Sequence, residues 1–227
     1  LNPEGEFLLG DVKIGGGKIL EVGAELAPAG ESETDIDGEG LTLLPGVIDP
    51  QVHFREPGLE YKEDLSTASR ACAKGGVTSF LEMPNTKPLT NTKEALADKL
   101  ERASRKSLVN YGFFIGATPE NRLDLIEANP TPGIKIFMGS MHGPLLVDRE
   151  EIIEPIFARG DRLIAVHAEN QERINRRREQ FAGQTNVAIH SQIQDEQAAW
   201  EATQLALKLS KKYRRRLHIL HLSTGIE

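Results

Sequence analysis

Residues 45–58 read PGVIDPQVHFREPG. An apolar run over residues 41–48 stops at Asp49-Pro50, and Gln51, His53 and Arg55 follow at alternate positions. In an extended chain, residues two apart point the same way. The three therefore share one face at the end of a strand, with Val52 and Phe54 on the other. A polar, cationic face at the mouth of a buried strand suits a site that holds a metal or an anionic ligand.

Downstream of this stretch, strands and helices alternate, as parallel βα units require. The first strand is expected over 41–52. A helix over 63–74 follows, ended by Gly75-Gly76. The second strand is expected over 77–83. Asn91-Thr92 caps a charged amphipathic helix running to residue 105. Further strands are expected over 108–116, 134–138, 163–168 and 217–222. Helices are expected over 119–128, from a cap at Asp148 to 158, near 169–181 and over 195–213. Two closures fit this order: an open doubly wound sheet, or most of a (β/α)8 barrel. No GxGxxG opens a helix after the first strand, and polar residues cluster at the C-terminal ends of several strands. Barrel enzymes place their chemistry there. The expected fold is therefore α/β, a partial TIM-type barrel of about six strands over 41–227, with its last strands beyond Glu227.

Upstream, residues 1–40 carry short apolar runs near 7–9, 12–14, 18–22 and 34–37, broken by glycine. Gly15-Gly16-Gly17 between two of them reads as a hairpin turn. No helix with Lys-Ser/Thr follows it, which argues against a phosphate loop. Residues 1–40 are thus expected to form a small β-sandwich-like module.

Composition narrows the function classes. The chain has 227 residues, 39% of them hydrophobic, enough for one sizeable core. A net charge of −7 favours neither nucleic acid nor an anionic membrane surface. The single cysteine, Cys72, excludes an internal disulfide, suits the cytoplasm and reads as a structural thiol in a helix. No apolar run approaches the ~18 residues of a membrane span. The chain lacks an initiating Met and ends directly after a strand-like run, so it reads as a fragment.

Four further strand ends carry chemistry-bearing residues. The second strand ends in Met83-Pro84-Asn85-Thr86, the fifth in Val166-His167-Ala168-Glu169, and the sixth holds His218 and His221. The fourth contains Lys135 within Ile134-Lys135-Ile136-Phe137. Ile134 and Ile136 face the helices, so Lys135 points to the barrel interior. A buried ammonium costs several kcal/mol unless it is paired or chemically changed. Lys135 is then either paired with a carboxylate or snorkelling, or else it is a carbamate bridging two cations. His142 and His190 read as loop and structural residues, and His218 as packing, pointing away from His221. The basic runs at 176–178 and 211–216 read as solvated helix ends.

Taken together, these segments resemble dihydroorotase, in the cyclic-amide hydrolase group of the amidohydrolase superfamily. The signature there is His-x-His followed by Leu-Arg-Glu-Pro-Gly. Here the second His is His53 and Arg55-Glu56-Pro57-Gly58 matches, whereas Gln51 stands in place of the first His. MPNT, the strand-four Lys, HAE and HILHLS also fall where that group has them. The resemblance implies Zn²⁺, one or two per chain. It implies His53 on the more buried metal, Lys135 bridging as its carbamate, and His167 and His221 on the second metal. Arg55 and Asn85 would bind a substrate carboxylate. Glu56 reads as a structural salt bridge. The implied reaction interconverts N-carbamoyl-L-aspartate and dihydroorotate in pyrimidine biosynthesis, by attack of a metal-activated water on the ring amide carbon. The group's general acid/base Asp, at the end of the eighth strand, would lie beyond residue 227.

Gln51 leaves three outcomes open. Its amide oxygen is a weak, neutral ligand compared with imidazole. The protein is then an enzyme with one metal or a weakened pair, a hydrolase of a related cyclic amide such as a hydantoin, or a silent homologue. The last would serve as a structural partner, for example of aspartate transcarbamoylase. A homo-oligomer or such a complex is the implied assembly, with no nucleic acid and no membrane.

Overall fold

The computed structural model describes residues 5–27, 30 and 34–227. The chain divides into two compact units, Leu1–Gly46 and Val47–Glu227, where the sequence pattern set the edge at 40/41. In the first unit, β1 (Asp11–Gly15) and β2 (Lys18–Gly23) form an antiparallel hairpin. Its two turn residues, Gly16 and Gly17, have φ of 57° and 73°. That pair of positive φ values is the tight turn that matches strand twist, and glycine adopts it without a Cβ clash. The runs at 7–9 and 34–37 form no strand, so one hairpin is the regular structure among the described residues of this module.

In the second unit, β3 (Val47–Val52), β4 (Val77–Glu82) and β5 (Asn110–Phe113) pair in parallel. A second parallel set is β6 (Ile115–Gly116), β7 (Ile134–Phe137), β8 (Ile164–His167) and β9 (Leu217–Ile219). The two sets are joined through one stretch of chain. The Phe114 N–H donates back to Glu82 O at 3.0 Å, and the Ile115 N–H donates forward to Gly133 O at 3.2 Å. Strand order thus follows chain order throughout, with no reversal of the kind a doubly wound sheet has at its switch point. The crossovers are helical: α1 (Leu65–Lys74), α2 (Lys93–Lys106), α3 (Arg122–Glu127), α4 (Glu150–Phe157), α5 (Gln171–Gln180), α6 (His190–Ile193) and α7 (Glu196–Tyr213). This is an arc of a (β/α)8 barrel with six strand positions.

The arc separates two apolar layers. Val52, Phe80, Ile134, Ile136, Ile164 and Val166 pack with helix residues such as Leu65, Leu96, Ala103, Ile153 and Ala206. Met83, Phe114, Ala165 and Leu220 form a smaller cluster on the other face, with Leu81 against it. Strand alternation puts Gln51, His53, Lys135, Phe137 and His167 on this second face, toward the barrel interior. A fully buried aliphatic side chain such as Leu96, 1% exposed, contributes roughly 1.5–3 kcal/mol.

Several boundaries differ from the sequence pattern, for local reasons. The first strand begins at Val47 because its parallel partner begins only after Gly76, whose carbonyl takes the Val47 N–H at 3.0 Å. The third strand divides at Phe114, where the chain changes partners. Asp148 does not cap α4; Arg149 occupies the cap without a side-chain bond, and Glu150 and Glu151 supply the first-turn charge. The sixth strand ends at Ile219, so the alternation that set His218 opposite His221 does not extend to His221. His218 pairs in register with Ala165 and shares its interior face, whereas His221 follows in a turn at φ 39°. Within the basic run at 211–216, Arg215 is buried and donates to the carbonyls of Arg159, Gly160 and Arg162. It ties the end of α7 to the loop after α4. Among the described residues, no helix is long and apolar enough to cross a membrane.

Candidate active site

The ends of β3 and β4 meet first. The His53 Nδ1–H donates to Asn85 Oδ1 at 2.7 Å, which leaves the His53 Nε2 lone pair free. Burial lowers the His53 pKa; the Asn85 bond opposes this, and the charges of Arg55, Lys135 and Lys99 add to the lowering. His53 is therefore held as neutral imidazole, the form that binds cations.

Arg55 sits just beyond, at φ 70°. Its N–H and that of Phe54 both donate to Glu82 Oε1, at 3.1 and 2.9 Å. Lys99 Nζ lies 2.9 Å from Glu82 Oε2, with both side chains fully buried. The contact is an ion pair rather than an aligned hydrogen bond. The hydrogen bonds of Lys99 go to Met83 O and Thr90 Oγ1, both at 3.3 Å, and its charge lies 5.1 Å from the Phe113 ring centroid. Burial pushes the Glu82 carboxyl up and the Lys99 amine down, against their mutual attraction. Glu56 makes the expected structural contacts: it accepts the Leu65 N–H at 3.1 Å and pairs with Lys106 at 2.5 Å.

Lys135 stands on the interior face of β7 with no exposed surface. Its Nζ has no hydrogen-bond partner and lies 4.4 Å from the Phe137 ring centroid. Desolvation lowers its pKa well below that of an ordinary lysine. The carboxylate pairing weighed from the sequence is not made. The Phe137 ring beside it lies in turn 6.2 Å, centroid to centroid, from the His167 ring on the neighbouring strand β8.

At the ends of β8 and β9, His167 Nδ1 faces His221 Nε2 at 2.9 Å, with the rings 64° apart. The other nitrogen of His167, Nε2, donates to Glu169 Oε2 at 2.5 Å. A carboxylate on the far nitrogen fixes which nitrogen of His167 offers its lone pair. Burial alone would raise Glu169, but bonds from His167 and Ser140 and the nearby imidazoles hold its carboxyl below the usual range. Burial lowers the His221 pKa, helped by the charges of His167 and Lys135.

The structure thus brings His53 to Asn85 and His167 to His221, and sets Lys135 on the interior face of the strand next to His167. His142 and His190 are exposed and outside this group. Among the described residues, no three His, Cys, Asp or Glu side chains already surround one cation position. A cleft of about 370 Å³ beside α4, α5 and α7 is lined by Met138, Asp148, Glu169, Asn170 and Glu201 and includes neither His53 nor Lys135. The sequence pattern did not show the Glu82–Lys99 pair, and it placed Glu169 at its strand end without a role. Periodicity held the signal: Lys99 lies between Leu96 and Ala103 on the apolar face of α2, and Glu82 is two residues from buried Phe80 on β4.

Residues 42–210 match the Amidohydrolase family, and the chain belongs to that family. It is 33% identical over 218 residues to the dihydroorotase of Methanosarcina acetivorans, covering 94% of this chain and 46% of that protein. It is 34% identical over 237 residues to the allantoinase of Deinococcus radiodurans, covering 99% and 52%. The L-hydantoinase (dihydropyrimidinase) from Arthrobacter aurescens superposes with a TM-score of 0.88 at 29% identity, over 94% of this chain and 49% of that one. The chain spans about half the length of the curated relatives it matches.

Proposed function

We propose that the protein is a dihydroorotase-type, zinc-dependent cyclic-amide hydrolase that interconverts N-carbamoyl-L-aspartate and dihydroorotate. The observation that carries this reading is Lys135, a fully buried amine without a hydrogen-bond partner on the interior face of β7, the strand paired with the one that ends in His167. Burial lowers the pKa of this lysine and so favours the free amine, the form that is a nucleophile toward CO2. Its nitrogen lone pair forms the N–C bond as one C=O π pair moves to oxygen, one proton leaves to water, and a carbamate with one negative charge shared by two oxygens replaces the amine. That supplies the oxygen ligand which the histidines alone lack.

His53, carbamylated Lys135, His167 and His221 would hold the zinc. Neutral imidazoles and an anionic oxygen pair are a donor set that Zn²⁺ accepts. Bound zinc supplies a Lewis acid for the ring carbonyl and a water acidic enough to attack at neutral pH. The chain's own residues do the rest. Asn85 holds the Nδ1 proton of His53, and Glu169 holds the Nε2 proton of His167, so each ring presents one defined lone pair. Arg55 offers a planar fork to the carboxylate of the substrate. Hydrolysis breaks the ring C–N bond, with hydroxyl to carbon and a proton to nitrogen.

The likeness to the L-hydantoinase favours a second substrate reading, a hydantoin-type ring without a carboxylate. One experiment separates the readings. Zinc content of the full-length protein is measured by mass spectrometry, with hydrolysis of dihydroorotate, hydantoin and allantoin, for the natural Gln51 and for Gln51→His. Zinc with dihydroorotate turnover supports the proposal. Turnover of hydantoin or allantoin alone moves the substrate. No zinc and no turnover, even in Gln51→His, sinks the catalytic reading and leaves an assembly role, as with aspartate transcarbamoylase.

A further inference from the structure

We propose that the buried Glu82–Lys99 pair is the positioning device for Arg55, fixing the left-handed turn from which its guanidinium leaves the β3 end. One oxygen of Glu82 takes two successive backbone N–H groups, those of Phe54 and Arg55. A carboxylate that gathers neighbouring N–H groups stabilises the local backbone that points them together. Arg55 has φ 70°, a conformation that a residue with a Cβ adopts only when its surroundings impose it. The other oxygen is held by Lys99, whose remaining bonds go to Met83 O and Thr90 Oγ1. Met83 is two residues before Asn85, the partner of His53. The pair therefore locks the turn at Arg55 to the segment that carries Asn85, at a place where both charges are fully buried. A salt bridge needed only for packing has no reason to spend an oxygen on these two N–H groups.

The inference deepens the reading of Arg55 as the group that takes a substrate carboxylate. Two paired replacements test it in the full-length, zinc-loaded protein. Glu82→Leu with Lys99→Met removes both charges and the acceptor, and leaves no unpaired ion to unfold the core. Glu82→Gln with Lys99→Met removes the charges but keeps an oxygen for the two N–H groups. In the first, KM for dihydroorotate should rise on the order of tenfold to a hundredfold with kcat nearly unchanged, and KM for hydantoin should not move. The second should recover most of the loss. A crystal structure of the first should show Arg55 with φ below zero. Equal losses on both rings, no loss, or φ retained at Arg55 would overturn the inference. If the natural protein hydrolyses neither ring, the functional proposal fails, and the φ of Arg55 still decides this one.

Discussion

Lys135 concentrates the chemistry of the site in one atom. An amine this deep contributes little to stability as a cation, because it has no counter-ion and no hydrogen bond. Lys135→Met should therefore retain the fold, with a melting temperature at or above that of the metal-free natural protein, and should lose all hydrolytic activity. Carbon-13 NMR under labelled CO2 should show a carbamate resonance in the natural protein and none in the variant. Gly58 makes the opposite point. It has φ +86°, and a Cβ there would lie 1.9 Å from Lys87 O. Gly58→Ala combines a left-handed penalty with a backbone clash. It should destabilise the fold by roughly 2–5 kcal/mol in denaturant melts. Gly58 was legible as part of a motif, but the reason for it was not: Lys87 is far along the chain and meets it only when the loops after β3 and β4 pack.

At the scale of elements, the cap at Thr92 was readable and the one expected at Asp148 was not made, and the tertiary partners of caps were not readable at all. Asp195 caps α7 by accepting the Ala198 N–H at 3.0 Å. It also takes a two-pronged bond from Arg173 of α5, at 2.8 and 2.6 Å, which no periodicity reveals. The Arg173 bonds hold the Asp195 carboxyl below its ordinary value of 3.8, against a smaller opposing effect of burial. A depressed carboxylate stabilises the fold above its unfolded pKa, and that stability is lost as pH falls through the folded value. Asp195→Ala should cost about 1–2 kcal/mol at neutral pH. The gap from the natural protein should close as acid melts are carried below pH 3.8. α2 shows the same limit: its amphipathic pattern gave a helix, yet Lys99 occupies the buried stripe, because its partner Glu82 comes from a strand.

For the molecule as a whole, the candidate ligands belong to both parallel sets: His53 follows β3, while Lys135, His167 and His221 lie on or after β7, β8 and β9. A cation held by them, as proposed, would join the two sets of strands and would bind only the folded form. Zinc at about a hundred times its dissociation constant should add about 2.7 kcal/mol of stability. Chelation should accordingly lower the calorimetric melting temperature, and Lys135→Met should abolish that response. Legible in the residue pattern alone were the order of strands and helices, the interior facing of Lys135 and the histidines at the strand ends, but not the facing of His218. Those follow from alternation and spacing, which are local. Only the tertiary structure decided that β3 starts at Val47, that His221 sits in a turn, that Glu169 orients His167 and that Glu82 and Lys99 anchor the backbone at Arg55. The start of β3, the turn at His221 and the Glu82–Lys99 anchor depend on partners distant in sequence, whereas Glu169 is two residues from His167 and reaches it through a loop geometry that strand alternation does not describe.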